Sequence, residues 1–159
     1  MNNQKIVPFL WFQNQAEEAV NFYLSFFKNA KIISTTPYGT EGPGPENAVM
    51  VINFELEGQE FVAFNGNPEF KFTESTSFCV KCETQEEIDH YWTRILDGGQ
   101  PMACGWIKDK FGLSWQITPT LLPEMLQDKN PEKAGRVMQE MMKMIKIDIQ
   151  KIKDAYEGR

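Results

Sequence analysis

Few side chains in this sequence can bind a metal or catalyse a reaction, and their spacing narrows the choice further. His90 is the only histidine, so any imidazole chemistry would have to run through it. It stands two residues after Ile88, on the polar side of a helical pattern and away from any sheet, and is expected to be a solvated surface residue. Cys79-Val-Lys-Cys82 has the spacing of half a zinc site or of a redox pair, and Cys104 with His90 could complete a tetrahedral set. Side chains three apart on a strand point to opposite faces, so the two thiols converge only if the strand ends sharply near Lys81. Small, buried, unreactive cysteines are the expectation. The carboxylate pairs Glu17-Glu18 and Glu86-Glu87 suit a general acid and base. Each pair, however, falls in the first turn of a predicted helix, where it complements the positive end of the macrodipole.

The elements that must carry these residues are legible from periodicity. Ile6 to Phe12 reads as a buried strand. Asn14 with Glu17 forms a capping-box signature, and Ala19, Phe22, Tyr23, Phe26 and Phe27 then recur at helical spacing up to Asn29. Ile32 to Thr36 is the next strand, followed by Tyr38 to Glu46, with three Gly and two Pro in nine residues, which reads as a mobile loop. Ala48 to Leu56 and Phe61 to Asn65 are strands joined at Glu57-Gly58, and Gly66-Asn67-Pro68 closes a β-α-β-β-β unit.

The pattern then repeats. Ser75 to Lys81 is a strand, Thr84 with Glu87 is a second capping box, and Ile88, Tyr91, Trp92, Ile95 and Leu96 form the next stripe. An offset of 69 lays that stripe onto Ala19, Phe22, Tyr23, Phe26 and Phe27, and lays Phe78 and Val80 onto Phe9 and Trp11. Gly98-Gly99 ends the helix; Met102 to Ile107 and Ser114 to Thr118 read as strands about a turn at Asp109 to Gly112. Beyond Pro119, Leu121 to Leu126 is a short helix, Pro131 opens a longer one, and Asp148 caps a last segment after a break near Lys146-Ile147.

Composition sets the outer limits. A chain of 159 residues with 42% hydrophobic side chains is globular, and near this size roughly 70% of the unfolded surface is buried without help from metal or disulfide. A net charge of -6 disfavours nucleic acid as a partner. The seven-residue run Ile6 to Phe12 is too short for a signal or membrane segment. Three cysteines cannot all pair within the chain, which suits a reducing compartment. A soluble, cytoplasmic protein with no membrane or nucleic-acid partner is therefore expected.

Several segments carry a family resemblance: Ile6-Val-Pro-Phe-Leu-Trp-Phe12, Ala16-Glu-Glu-Ala-Val-Asn-Phe-Tyr23, the run Cys104-Gly-Trp-Ile-Lys-Asp-Lys-Phe-Gly-Leu-Ser-Trp-Gln-Ile-Thr-Pro119, and Met144-Ile-Lys-Ile-Asp148. Through them the chain resembles the vicinal oxygen chelate superfamily of glyoxalase I, bleomycin-resistance proteins and extradiol dioxygenases, and within it the PhnB-like, demethylubiquinone methyltransferase-like branch. The resemblance implies an α+β fold in which two βαβββ modules form one open, curved mixed sheet with a central trough, followed by a C-terminal helical tail. Residues 1–68 would be the first module, 69–119 the second and 120–159 the tail, all in one structural domain. It also implies that a metal-using relative would place His or Glu ligands at Pro8, at Ala63 or Phe61, at Ser77 and at Gln116. None of these is a His or a carboxylate, so neither metal nor cofactor is expected. A methyltransferase site fares no better, because Gly39, Gly42 and Gly44 are interrupted by Pro43 and Pro45 with no helix following.

The expected function is the binding of a small apolar or aromatic molecule in the trough, with an enzyme (a lyase, an isomerase, a dioxygenase or a methyltransferase) as the alternative. If Phe9, Trp11, Phe78 and Val80 pack beneath the helices, alternation turns Pro8, Leu10, Ser77 and Cys79 toward the trough. Leu10, Phe12, Ser77, Cys79, Trp106 and Gln116 are the expected lining, with Asn65 at the mouth and the Gly39 to Pro45 loop as a lid. Met138, Met141, Met142 and Met144 give the tail an apolar face for its own core or for a second copy, and a homodimer is expected.

Overall fold

The computed structural model describes residues 4–159. The chain divides between Lys71 and Phe72 into two units, so the C-terminal helices belong to the second unit and do not form a third body.

In the first unit, β1 (Phe9–Phe12) is followed by α1 (Ala16–Leu24), β2 (Ala30–Pro37), β3 (Val49–Leu56) and β4 (Gln59–Asn65). The strands lie in the order β1-β4-β3-β2, with β1 parallel to β4 and the remaining pairs antiparallel. The second unit begins with β5 (Ser77–Cys82) and α2 (Gln85–Leu96), continues through β6 (Gln100–Pro101), β7 (Trp106–Lys108) and β8 (Ser114–Pro119), and has the order β5-β8-β7-β6. Here too the first strand runs parallel to the last, β5 beside β8. The duplicated α+β topology read from the sequence is therefore present, one four-stranded mixed sheet per unit.

The first strand is shorter than the apolar run, beginning at Phe9 and not at Ile6. Pro8 still accepts from Val62 N–H through its carbonyl (2.9 Å), but it has no N–H to continue the ladder. The segment Met102 to Ile107 is likewise not one strand. β6 ends at Pro101 and β7 starts at Trp106, and Cys104 and Gly105 between them hold φ values of 59° and 80°. Their amides donate to Met144 and Ile145 carbonyls at 2.8 Å, so the tail, not a neighbouring strand, takes these hydrogen bonds.

The two helix starts are built differently. Thr84 caps α2 as expected, its hydroxyl accepting from Glu87 N–H at 3.2 Å while Glu87 accepts from Glu83 N–H at 2.7 Å. The box predicted at Asn14 is absent: the N-cap of α1 is Gln15, which makes no side-chain cap, and Asn14 sits at φ 65°. The first-turn amide of Ala16 is instead satisfied by Asn65 at the end of β4, at 2.8 Å.

That difference reverses one strand. β1 is joined to α1 by Gln13, Asn14 and Gln15, whereas only Glu83 and Thr84 join β5 to α2. The helices match at an offset of 69, Ala16 with Gln85, but the strands end at Phe12 and Cys82, an offset of 70. A one-residue slip moves every side chain of a strand to the other face. Leu10 and Phe12, expected to line the trough, are therefore buried beneath α1 (5% and 2% exposed). They stand opposite Ala63 and Asn65 in register and share the covered face with Phe54, whose ring stacks on Tyr23 of α1 at 6.4 Å. Phe9 and Trp11 point the other way. In the second unit the expected alternation holds, with Phe78 and Val80 facing the same side as Trp115, Ile107 and Ile117 beneath α2.

The tail comprises α3 (Leu121–Leu126), α4 (Pro131–Met142) and α5 (Ile149–Glu157). Asn130 caps α4 and Asp148 caps α5. Leu122, Val137, Met144, Ile147 and Ile152 form its buried core, with Met141 and Tyr156 packed against them. The tail thus covers its own chain. Met138 and Met142 are left exposed, as is Leu96 at the end of the α2 stripe.

Candidate functional site

The open face of the second sheet brings together Ser77, Cys79 and Gln116, three of the groups singled out from the sequence. Strand register places Ser77, Ser114 and Lys108 in one row across β5, β8 and β7, and Cys79, Gln116 and Trp106 in the next. Lys81 and Thr118 lie on the same face, as does Gln100 of β6 opposite Lys108. Residues opposite one another on a sheet share a face, and the other side of each strand is committed to the core: Cys82, Ile107 and Ile117 are fully buried.

Within this face Gln116 donates from Nε2 to Ser77 Oγ at 2.8 Å. The Ser77 hydroxyl proton and the Gln116 carbonyl remain available. Lys108 is held by Glu74, from the segment just before β5, and the Lys108 hydrogen bond is the largest of the causes that keep the Glu74 carboxyl below the usual range. Ser114 Oγ is buried with no hydrogen-bond partner, alone in this among the described residues. Sequence reasoning had chosen Ser77, Cys79, Trp106 and Gln116, which the register brings together. It missed Ser114, Lys108 and Lys81, although strict alternation along β8, β7 and β5 would have found them.

The remaining expected site residues lie elsewhere. Leu10 and Phe12 are under α1, as described above. Asn65 is a buried joint: Oδ1 accepts from Ala16 N–H, Nδ2 donates to Val49 O at 3.0 Å, and its main-chain carbonyl accepts from the Tyr38 hydroxyl. The open face of the first sheet is aromatic instead. Phe64 lies 5.7 Å from Phe9 and 4.7 Å from Trp11, and Trp11 is edge-on to Phe70 at 5.0 Å.

The thiols do not converge. Cys79 is exposed on the open face, while Cys82 is buried on the covered one, where desolvation first, then the charges of Glu87 and Cys79, push its thiol up to about 12. His90 is exposed on α2. Among the described residues, no three His, Cys, Asp or Glu side chains come together as a metal-ligand set. Ala63 and Phe61, proposed as a ligand position, face α1. Val62, which stands opposite Phe9 as Gln116 stands opposite Cys79, occupies the matching open-face position and has no donor atom.

The family model of 3-demethylubiquinone-9 3-methyltransferase matches residues 4–118. The chain belongs to that family, the PhnB-like branch of the vicinal oxygen chelate proteins. The PhnB protein of Bacillus cereus is 40% identical over 74% of this chain and 100% of its own, with a TM-score of 0.68. Two others share the fold alone. Protein PA1353 of Pseudomonas aeruginosa is 18% identical, with a TM-score of 0.62 over 74% of this chain and 98% of its own. The fosfomycin resistance protein FosX of Listeria monocytogenes is 17% identical, with a TM-score of 0.57 over 80% of this chain and 100% of its own. No curated protein matches.

The methyltransferase in the family description implies S-adenosylmethionine, and the PhnB-like chain does not fit it. The glycine-bearing segment connects β2 to β3, two antiparallel strands, so it opens no helix and presents no helix N-terminus. Its glycines are used internally: a Cβ at Gly44 would lie 2.4 Å from the Tyr38 ring, and one at Gly42 would lie 2.9 Å from it. Expected to be a mobile lid, this loop is wrapped on the buried Tyr38, whose N–H and carbonyl bond Ala48 and Asn47. Among the described residues no helix is long and apolar enough to cross a membrane.

Proposed function

We propose that this PhnB-like chain is a metal-independent binding protein that takes a small organic molecule on the open face of the second sheet. The observation that carries the reading is the row Cys79, Gln116 and Trp106 beside the Ser77–Gln116 hydrogen bond. A half-buried indole wall next to a few oriented hydrogen-bonding groups is what a small-molecule site requires. Weak metal donors stand where chelating relatives carry strong ones, which favours recognition by shape and hydrogen bonds over Lewis-acid chemistry. The protein is further proposed to act in the cytoplasm as a homodimer, for which exposed Met138, Met142 and Ile145 provide apolar surface.

The test is native mass spectrometry of the freshly purified full chain, paired with alkylation of Cys79 by iodoacetamide. A co-purifying organic mass whose removal speeds Cys79 alkylation is the expected result. A stoichiometric transition metal, with a ligand whose removal leaves Cys79 unaffected, would overturn the reading and favour an enzyme.

A further inference from the structure

The open face of the second sheet has a sign. Its strand residues are Ser77, Cys79 and Lys81 on β5, Gln100 on β6, Trp106 and Lys108 on β7, and Ser114, Gln116 and Thr118 on β8. No acid is among them, although the chain as a whole carries -6. Hydrogen-bond donors outnumber acceptors on this face: the two ammonium groups, the three hydroxyls and the Trp106 indole N–H. A cationic, donor-rich face is complementary to an anion.

Two observations place the anion. Ser114 is fully buried and its hydroxyl has no partner, a cost of about 1–3 kcal/mol that native structures seldom leave uncompensated. Lys108, directly opposite Ser114 in register, has a Cβ about 5 Å from that of Ser114 by sheet geometry, and its ammonium is already occupied by a carboxylate, that of Glu74. Glu74 is 49% exposed and lies outside the sheet. It holds the position a ligand's carboxylate would take, and an exposed ion pair is cheap to exchange.

Resting on the binding role proposed above, we infer that the molecule taken by this face is a small carboxylate with a planar body. Its carboxylate displaces Glu74 from Lys108 and accepts the Ser114 hydroxyl, while the planar part lies against Trp106 and Gln116. Release of Glu74 frees the Lys108 ammonium, opposite Ser114 in register, for the incoming carboxylate. No bond is made or broken.

The probes are benzoate and its neutral isostere benzamide, titrated into the full chain while the backbone amide shifts of Ser114 and Gln116 are followed by NMR. Benzoate is expected to bind about tenfold more tightly than benzamide, because only a carboxylate can replace that of Glu74 on Lys108 with another charge-assisted pair. Glu74→Gln should tighten benzoate several-fold and leave benzamide unchanged, because the internal competitor is gone. Lys108→Gln should reduce benzoate to the level of benzamide, and Ser114→Ala should weaken benzoate without altering the fold. Equal binding of the two probes, or a Glu74→Gln variant with unchanged benzoate affinity, overturns the carboxylate assignment and leaves the binding role intact. If neither probe shifts Ser114 or Gln116 in any variant, both readings fall.

Discussion

Asn65 caps a helix forty-nine residues before it: its side-chain carbonyl accepts the Ala16 amide at 2.8 Å, while its amide donates to Val49. One buried side chain thereby ties the start of α1 to β4 and β3. Replacing it with alanine leaves a buried donor and a buried acceptor unpaired, and should cost about 2–4 kcal/mol. Hydrogen exchange of the Ala16 amide checks this. It should accelerate strongly in Asn65→Ala and far less in Asn65→Asp, which keeps the acceptor, while α2 amides stay protected in both.

Asp109 plays the corresponding part in the second unit's hairpin. Its Oδ1 accepts from the Phe111 and Leu113 amides at 2.9 and 3.0 Å, and Oδ2 accepts from the Trp115 indole at 2.9 Å. Asp109→Ala should destabilise the unit by about 3 kcal/mol or more, since these are hydrogen bonds to a buried carboxylate. Trp115→Phe, which removes a single donor, should cost clearly less. Urea unfolding of the two variants tests the order.

The thiols should differ sharply in reactivity. With the Cys82 thiol near 12, only about one in ten thousand is thiolate at pH 8. Mass mapping after brief alkylation should therefore find Cys79 modified and Cys82 untouched until the protein unfolds. Oxidant should not join the two, because they lie on opposite faces of β5.

The tail is clamped to α2 through Gln85, which accepts from Ile149 N–H at 2.9 Å and donates to Ile147 O at 3.2 Å, and through the Asp89–Lys146 ion pair. Lys146 first, then Gln85, hold the Asp89 carboxyl below its ordinary value of 3.8. A carboxyl depressed on folding contributes stability above its unfolded value and loses it as pH falls through the lowered folded value. The tail clamp should thus be intact at neutral pH and weaken only in acid. In Lys146→Met the Asp89 carboxyl, followed by NMR, should titrate closer to its ordinary value, and Gln85→Ala should speed exchange of the Ile149 amide.

What the sequence determined by itself were the features whose deciding partners lie a few residues apart. Thr84 caps α2 because its partner is three residues away, Pro131 starts α4 because only the first turn tolerates a missing N–H, and Asp148 restarts the chain after the break. The duplicated order of strands and helices, and the Ser77, Cys79, Trp106 and Gln116 face, followed from the same short-range rules. Only the tertiary structure decided the rest, because the deciding partners are remote in the chain. Asn65 replaced the local cap expected at Asn14, and the tail carbonyls of Met144 and Ile145 drew Cys104 and Gly105 out of a strand. A single additional residue between β1 and α1 turned Leu10 and Phe12 inward. Side chains alternate with a period of two, so a link one residue longer is nearly silent in hydrophobic pattern yet decides which face a strand presents.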